Sequence, residues 1–176
     1  MTLKQNFLPE YDFGEGCGRC LVCLDGKLGF VDTSGTIVID PVFLYARRFG
    51  CKRSIFSKSE GKLFLVDING NAICDLNCGG SFSFSSGASR IIRNDKMVFI
   101  DIQGNPIVDL EFEYAEDFTE GIGWATRNGN TYDMITLDGS ITETEYVKAS
   151  HFCNGLSVVS KKHYGSCGII NKDASV

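Results

Sequence analysis

Apolar residues in this chain come in runs of four to six, mostly β-branched or aromatic, each closed by a glycine-bearing polar stretch. "FVDTSGTIVI" from Phe30, "IGWAT" from Ile122 and "LSVVS" from Leu156 are examples. Runs of that length and composition predict short strands joined by tight turns. No stretch holds a 3.6-residue apolar period over ten or more residues, so helix is expected only as single turns around "YARRF" from Tyr45 and "YAEDF" from Tyr114.

The pattern recurs. "DGKLGFVDTSGTIVI" from Asp25, "EGKLFLVDINGNAIC" from Glu60 and "NDKMVFIDIQGNPIV" from Asn94 align without gaps, and weaker copies start at Gly129 and His163. The turn residue falls at Gly35, Gly70, Gly104, Gly139 and Ala174, in steps of 35, 34, 35 and 35. A second column, Phe13, Phe49, Phe84, Phe118 and Phe152, keeps the same period; four of these stand three residues before Gly16, Gly87, Gly121 and Gly155, and Lys52 replaces the glycine in the second copy. A fixed period means that each unit buries its apolar face mainly against its neighbours. Asp32, Asp67 and Asp101 head the glycine turns, where a carboxylate accepts backbone N–H bonds and glycine supplies left-handed backbone. Active sites are seldom repeated in every unit, so these aspartates read as turn chemistry rather than catalysis.

Met1 falls at the repeat position of Ile37 and Val176 at that of Ile141, the same position, so the chain holds five whole repeats cut inside one unit. The expected architecture is therefore an all-β tandem array of five antiparallel repeats of about 35 residues, forming a single domain over residues 1–176. A propeller-like closed ring is favoured, because a unit divided between the termini removes exposed strand edges; an open superhelical β-array is the alternative.

"DGKLGFVDTSGTIVIDPVF" followed by "RRFG", with "YAEDFTEGIGWA" later, resembles the bacterial WG (Trp-Gly, or KWG) repeat family, over nearly the whole chain. The family's signature tryptophan is absent: its slot holds Leu28, Leu63, Met97, Tyr132 and Cys167, and the following glycine survives as Gly29 and Gly168. The resemblance implies a binding or scaffolding module and brings no catalytic residues.

Composition narrows the partner. The 176 residues are 43% hydrophobic, enough for a real core, and the net charge of -5 with a pI near 5.0 leaves no basic footprint for nucleic acid or an anionic membrane. The N-terminal stretch lacks the apolar core of a signal peptide, and no 18 apolar residues run together. A cytoplasmic protein is expected, with its eight cysteines held mainly as thiols.

Three of those cysteines lie in "GCGRCLVC" from Gly16. In the repeat register Cys20 matches Phe56, Ile91, Ala125 and Val159, a core column, and Cys17 matches a mostly apolar one. If residues 17–23 form one strand, Cys17 and Cys23 share a face about 20 Å apart while Cys20 points away, so one ion cannot reach all three. Packing is the favoured account. The weaker alternative is a metal set of Cys17, Cys20, His163 and Cys167 joining the first and last repeats. Cys74 and Cys78 are expected to be buried, Cys51 and Cys153 exposed.

No nucleophile elbow, phosphate loop or His-Glu-x-x-His occurs, so neither an enzyme nor a bound cofactor is expected. A protein partner is the default for a repeat surface. The column Arg19, Ile55, Arg90, Trp124 and Val158 changes character while its neighbours stay apolar. Trp124, Arg19 and Arg90 are therefore the candidate binding residues, with Trp124 either anchoring a partner or filling the space left by Gly121 and Gly123. A small-ligand or glycan-binding propeller-like lectin is the alternative function.

Overall fold

The structure, a computed structural model, describes residues 17–175. The expectations for Met1, Phe13, Gly16 and Val176 lie outside them. Among the described residues there are five antiparallel sheets and no helix, and hence no helix long and apolar enough to cross a membrane. The chain divides into two compact units, Met1–Phe84 and Ser85–Val176.

In the first unit, β1 (Cys20–Leu24), β2 (Lys27–Val31) and β3 (Ile37–Phe43) make one sheet. A second sheet follows in the order β4 (Tyr45–Ala46), β5 (Ser54–Ser57), β6 (Phe64–Val66) and β7 (Ala72–Asp75), and β8 (Gly80–Ser81) comes next in the chain. The second unit contains β9 (Ala88–Arg93) paired with β10 (Lys96–Asp101). Its next sheet runs β11 (Tyr114–Ala115), β12 (Ile122–Thr126), β13 (Tyr132–Thr136) and β14 (Ile141–Tyr146), and its last runs β15 (Lys148–Ala149), β16 (Leu156–Ser160) and β17 (Gly168–Asn171). After β10 the ladder survives only as single bridges, Ile100 with Pro106 and Met97 with Phe112, because proline has no N–H to give it.

"YARRF" and "YAEDF" form no helical turns. Ala46 pairs with Phe56 and Ala115 with Ala125, as the two-residue strands β4 and β11. The flanking amides of Leu44 and Arg47 donate to Ser57 and Ile55, so the neighbouring strand satisfies the backbone that a helical turn would have satisfied internally.

Two kinds of turn carry the repeat. In the glycine turns the Asp32 carboxylate accepts the Ser34 and Thr36 amides at 2.9 and 3.0 Å, and Asp67 and Asp101 do the same at their own turns. The Ser34 hydroxyl holds Asp32 below its ordinary carboxylate value, and the Asn71 amide group does so for Asp67. In the fifth copy Asn171 takes the acceptor role, bonding the Asp173 and Ser175 amides, and Ala174 adopts the left-handed φ of 58° that glycine holds elsewhere. The other turns are two-residue hairpins with both central residues at positive φ: Cys51–Lys52, Ser86–Gly87, Glu120–Gly121 and Asn154–Gly155. This is the type I′ geometry, whose twist matches that of the strands.

The phenylalanine column supplies the core. Phe49, Phe84, Phe118 and Phe152 are all at most 4% exposed. In the first unit Phe30 stacks on Phe56 at 5.2 Å, with Phe49 edge-on to both. In the second, Phe118 meets Phe99 edge-on at 4.8 Å and Phe152 lies parallel to Trp124 at 5.9 Å. Each such burial contributes about 1.5–3 kcal/mol. Backbone contact also joins successive repeats: a Cβ on Gly50 would lie 1.9 Å from the Phe84 carbonyl oxygen.

Candidate interaction surface

The variable column alternates along each inner strand with residues that face the opposite side, and the structure shows what it does. Trp124, on β12, is 1% exposed; its indole N–H donates to the Ser150 carbonyl at 3.0 Å, in the next repeat. Gly123 makes room for the neighbouring rings, since a Cβ there would lie 2.5 Å from Phe118. Arg90, on β9, has a side chain 12% exposed; Nε donates to Asp117 at 2.9 Å and a terminal nitrogen donates to the Ala115 carbonyl, both again in the next repeat. Arg19 reaches the Ile68 carbonyl at 3.4 Å, and Ile55 is fully buried. Trp124, Arg90 and Arg19 are thus chemically different clasps onto a following repeat. A buried indole offers no face to a partner.

The fifth repeat is different. On β16, Leu156 and Val158 are 49% and 47% exposed, and Ile169, directly opposite Val158 on β17, is 55% exposed. Residues two apart on a strand share a face, and a directly opposed pair shares it too, so these three side chains form one apolar patch. Their counterparts in the fourth repeat, Ile122, Trp124 and Met134, are 4%, 1% and 2% exposed, packed beneath Phe152, Val159 and Ile170 of the fifth. The last sheet therefore turns to solvent the face that its predecessor buries. Nothing in the composition of "LSVVS" or "GII" distinguishes these residues from buried ones, so only their place in the array marks them.

Several polar groups elsewhere in this unit are committed to structure. The Ser86 hydroxyl accepts the Glu120 amide at 3.0 Å and the Glu120 carboxylate accepts the Gly155 amide at 2.9 Å, linking three successive hairpins. Lys172 sits 3.0 Å from Glu120 and, by hydrogen bonding, holds that carboxyl below its usual value. His151 lies 3.7 Å from Glu116 at an exposed position, and His163 is exposed.

The cysteines mostly follow the register. Cys20 is 4% exposed within the first unit's core strand, while Cys51 and Cys153 are exposed, as the register implied. Residues 17–23 do not form one strand, because β1 begins at Cys20 after Gly18 takes a left-handed φ of 60°. Cys17 lies outside the strand, where its sulfur accepts the Lys52 amide at 3.4 Å. Cys20 and Cys23, three apart on β1, point to opposite faces. Cys74 and Cys78, expected to be buried, are half-buried near strand ends, and Cys167 is exposed. Of the alternative metal set, Cys17 and Cys20 belong to the first unit and His163 and Cys167 to the second. Among the described residues no three His, Cys, Asp or Glu side chains gather as a metal site.

Comparison with solved structures places the architecture. The chain is similar to Kluyveromyces lactis Hsv2 with complete loop 6CD (TM-score 0.58, 12% identity, covering 94% of this chain and 60% of that one). It is equally similar to KlHsv2 with loop 6CD replaced by a Gly-Ser linker (TM-score 0.58, 13% identity, 94% and 63%). The computationally designed Ika8 protein matches at a TM-score of 0.50 with 13% identity, covering 88% of this chain and 55% of that one. The chain thus spans about three fifths of the Hsv2 chains, and at this identity the likeness is one of β-propeller-like fold alone. No curated protein matches the sequence. Residues 29–62 and 99–130 match the family model described as WG containing repeat, so two of the repeats bear out the resemblance read from the turn and phenylalanine columns despite the missing tryptophan.

Proposed function

We propose that this protein is a non-catalytic binding or scaffolding module that engages a protein partner through the open face of its fifth sheet. The observation that carries this reading is the exposed apolar patch of Leu156, Val158 and Ile169, whose counterparts in the fourth repeat are buried. Contiguous exposed apolar surface on a sheet is the usual mark of a protein contact. The WG repeats and the propeller-like fold support it, since repeat arrays present extended surfaces whose specificity lies in positions that vary between units. The carboxylates of the first three glycine turns accept backbone hydrogen bonds of their own turns, which favours binding over catalysis.

The test is affinity capture from the native host with Val158→Lys and Ile169→Lys variants, quantified against the unmodified protein and against Tyr164→Ser. Both patch variants keep their fold by circular dichroism and lose the specific partner at least tenfold, while Tyr164→Ser retains it. Undiminished capture by both lysine variants contradicts the assignment.

A further inference from the structure

Two cavities in this protein are one feature written twice. The first, about 280 Å3, lies in the first unit against Phe43, Phe56, Ser57, Lys58, Phe64 and Val66. The second, about 570 Å3, lies in the second unit against Tyr146, Val159, Ser160, Lys161, Gly168 and Ile170. In the repeat register these six positions correspond one to one. Local backbone chemistry is duplicated as well. The buried Ser57 hydroxyl donates to the Ser59 carbonyl and accepts the Ser59 amide, and the buried Ser160 hydroxyl makes the same two bonds with Lys162. The lysine inside each serine turn stands at the cavity: Lys58 lies 5.4 Å over the Phe43 ring, and Lys161 lines the second cavity together with Tyr146.

The fourth repeat shows what such a cation takes. Thr126 and Arg127 stand where the serine and lysine stand, and Asp133 occupies the position of Phe64 and Gly168. The Asp133 carboxylate is 7% exposed and lies 2.9 Å from the Arg127 guanidinium, so here the protein's own carboxylate fills the place. In the second and fifth repeats that position is a phenylalanine or a glycine, and among the described residues no buried carboxylate pairs with the lysine. Lys58 has no ion pair among the described residues, and the Lys161 pair with Glu145 is exposed on both sides, a contact worth little in water.

We infer that the Ser-Lys pockets of the second and fifth repeats bind small monocarboxylates with an apolar body, the lysine taking the carboxylate as Arg127 takes Asp133 and the walls of Phe56 and Val66, or Val159 and Ile170, taking the body. The pocket sizes suit molecules from a single-ring acid upward. This site is separate from the docking face proposed above and stands or falls independently of it.

Titration of the full chain with phenylacetate, followed by amide proton–nitrogen correlation spectra, tests it. Saturable shifts are expected at Ser57–Lys58 and Ser160–Lys161, with Thr126–Arg127 unmoved. The neutral isostere phenylacetamide binds at least tenfold more weakly, as does phenylacetate at each pocket after its own substitution, Lys58→Gln or Lys161→Gln, with the other pocket unaffected. Val158→Lys leaves the titration unchanged. Equal shifts with phenylacetamide, indifference to both lysine substitutions, or no shifts up to tens of millimolar acid overturn the inference.

Discussion

Lys52→Gly is a stabilising substitution. Lys52 is the second central residue of a type I′ hairpin, at φ 59°, where the equivalent turns hold Gly87, Gly121 and Gly155. A residue with a Cβ in left-handed backbone costs about 1–2 kcal/mol. Glycine removes that strain and returns about 0.5–1 kcal/mol of it as extra freedom in the unfolded chain. Little else is lost: the Lys52 side chain is exposed without an ion pair among the described residues, and its contact with Cys17 is made by the amide, which glycine keeps. The net gain is about 0.5–1 kcal/mol, raising Tm by about 1–4 °C for a chain of this size. Thermal melts followed by far-ultraviolet circular dichroism measure it, beside the mirror substitution Gly121→Lys, which lowers Tm by a similar amount. A fall in Tm for Lys52→Gly would refute the turn assignment.

Four further outcomes follow from the same geometry. Trp124→Ala removes a fully buried ring stacked on Phe152 and costs about 3–5 kcal/mol in urea unfolding; Trp124→Phe costs much less, because the Ser150 carbonyl still accepts the Ser157 hydroxyl at 2.7 Å. Gly50→Ala drives a Cβ into the Phe84 carbonyl and destabilises by at least about 2 kcal/mol, seen as early loss of the first unit in hydrogen exchange. Asp32 and Asp67 have folded values below the ordinary 3.8, so their contribution to stability is present above that pH and is lost as pH falls through the lower folded values; Asp67→Asn flattens the acid limb of an unfolding-versus-pH curve, whereas a turn that collapses at neutral pH contradicts the Asn171 precedent. Alkylation mapped by mass spectrometry labels Cys23, Cys51, Cys153 and Cys167 first and Cys20 last; early labelling of Cys20 argues against its core position.

The period, the strand content, both turn columns and the buried phenylalanines were legible in the sequence because each rests on local chemistry repeated several times. Cys20 was placed in the core for the same reason. The short strands β4 and β11 were not legible: "YARRF" and "YAEDF" have no alternating run, and their extended form is imposed by pairing with the next strand. The start of β1 was hidden by Gly18, whose left-handed backbone separates Cys17 from the strand. Trp124 and Arg90 stood out as variable, yet variability had two causes that one sequence does not separate: differing clasps between repeats and differing contacts with a partner. Val158 stood in that same variable column, but Leu156 and Ile169 carried no signal, since their chemistry is that of core residues and only the array shows all three uncovered.

The central claim is that this uncovered face is the docking surface. A photoactivatable benzoylphenylalanine placed singly at Val158, at Ile169 and, as a control, at the exposed Leu137 tests it in the native host. Adducts with one protein partner at Val158 and Ile169 but not at Leu137 are the result this account predicts. Adducts equally abundant at all three positions, or at Leu137 alone, would contradict it.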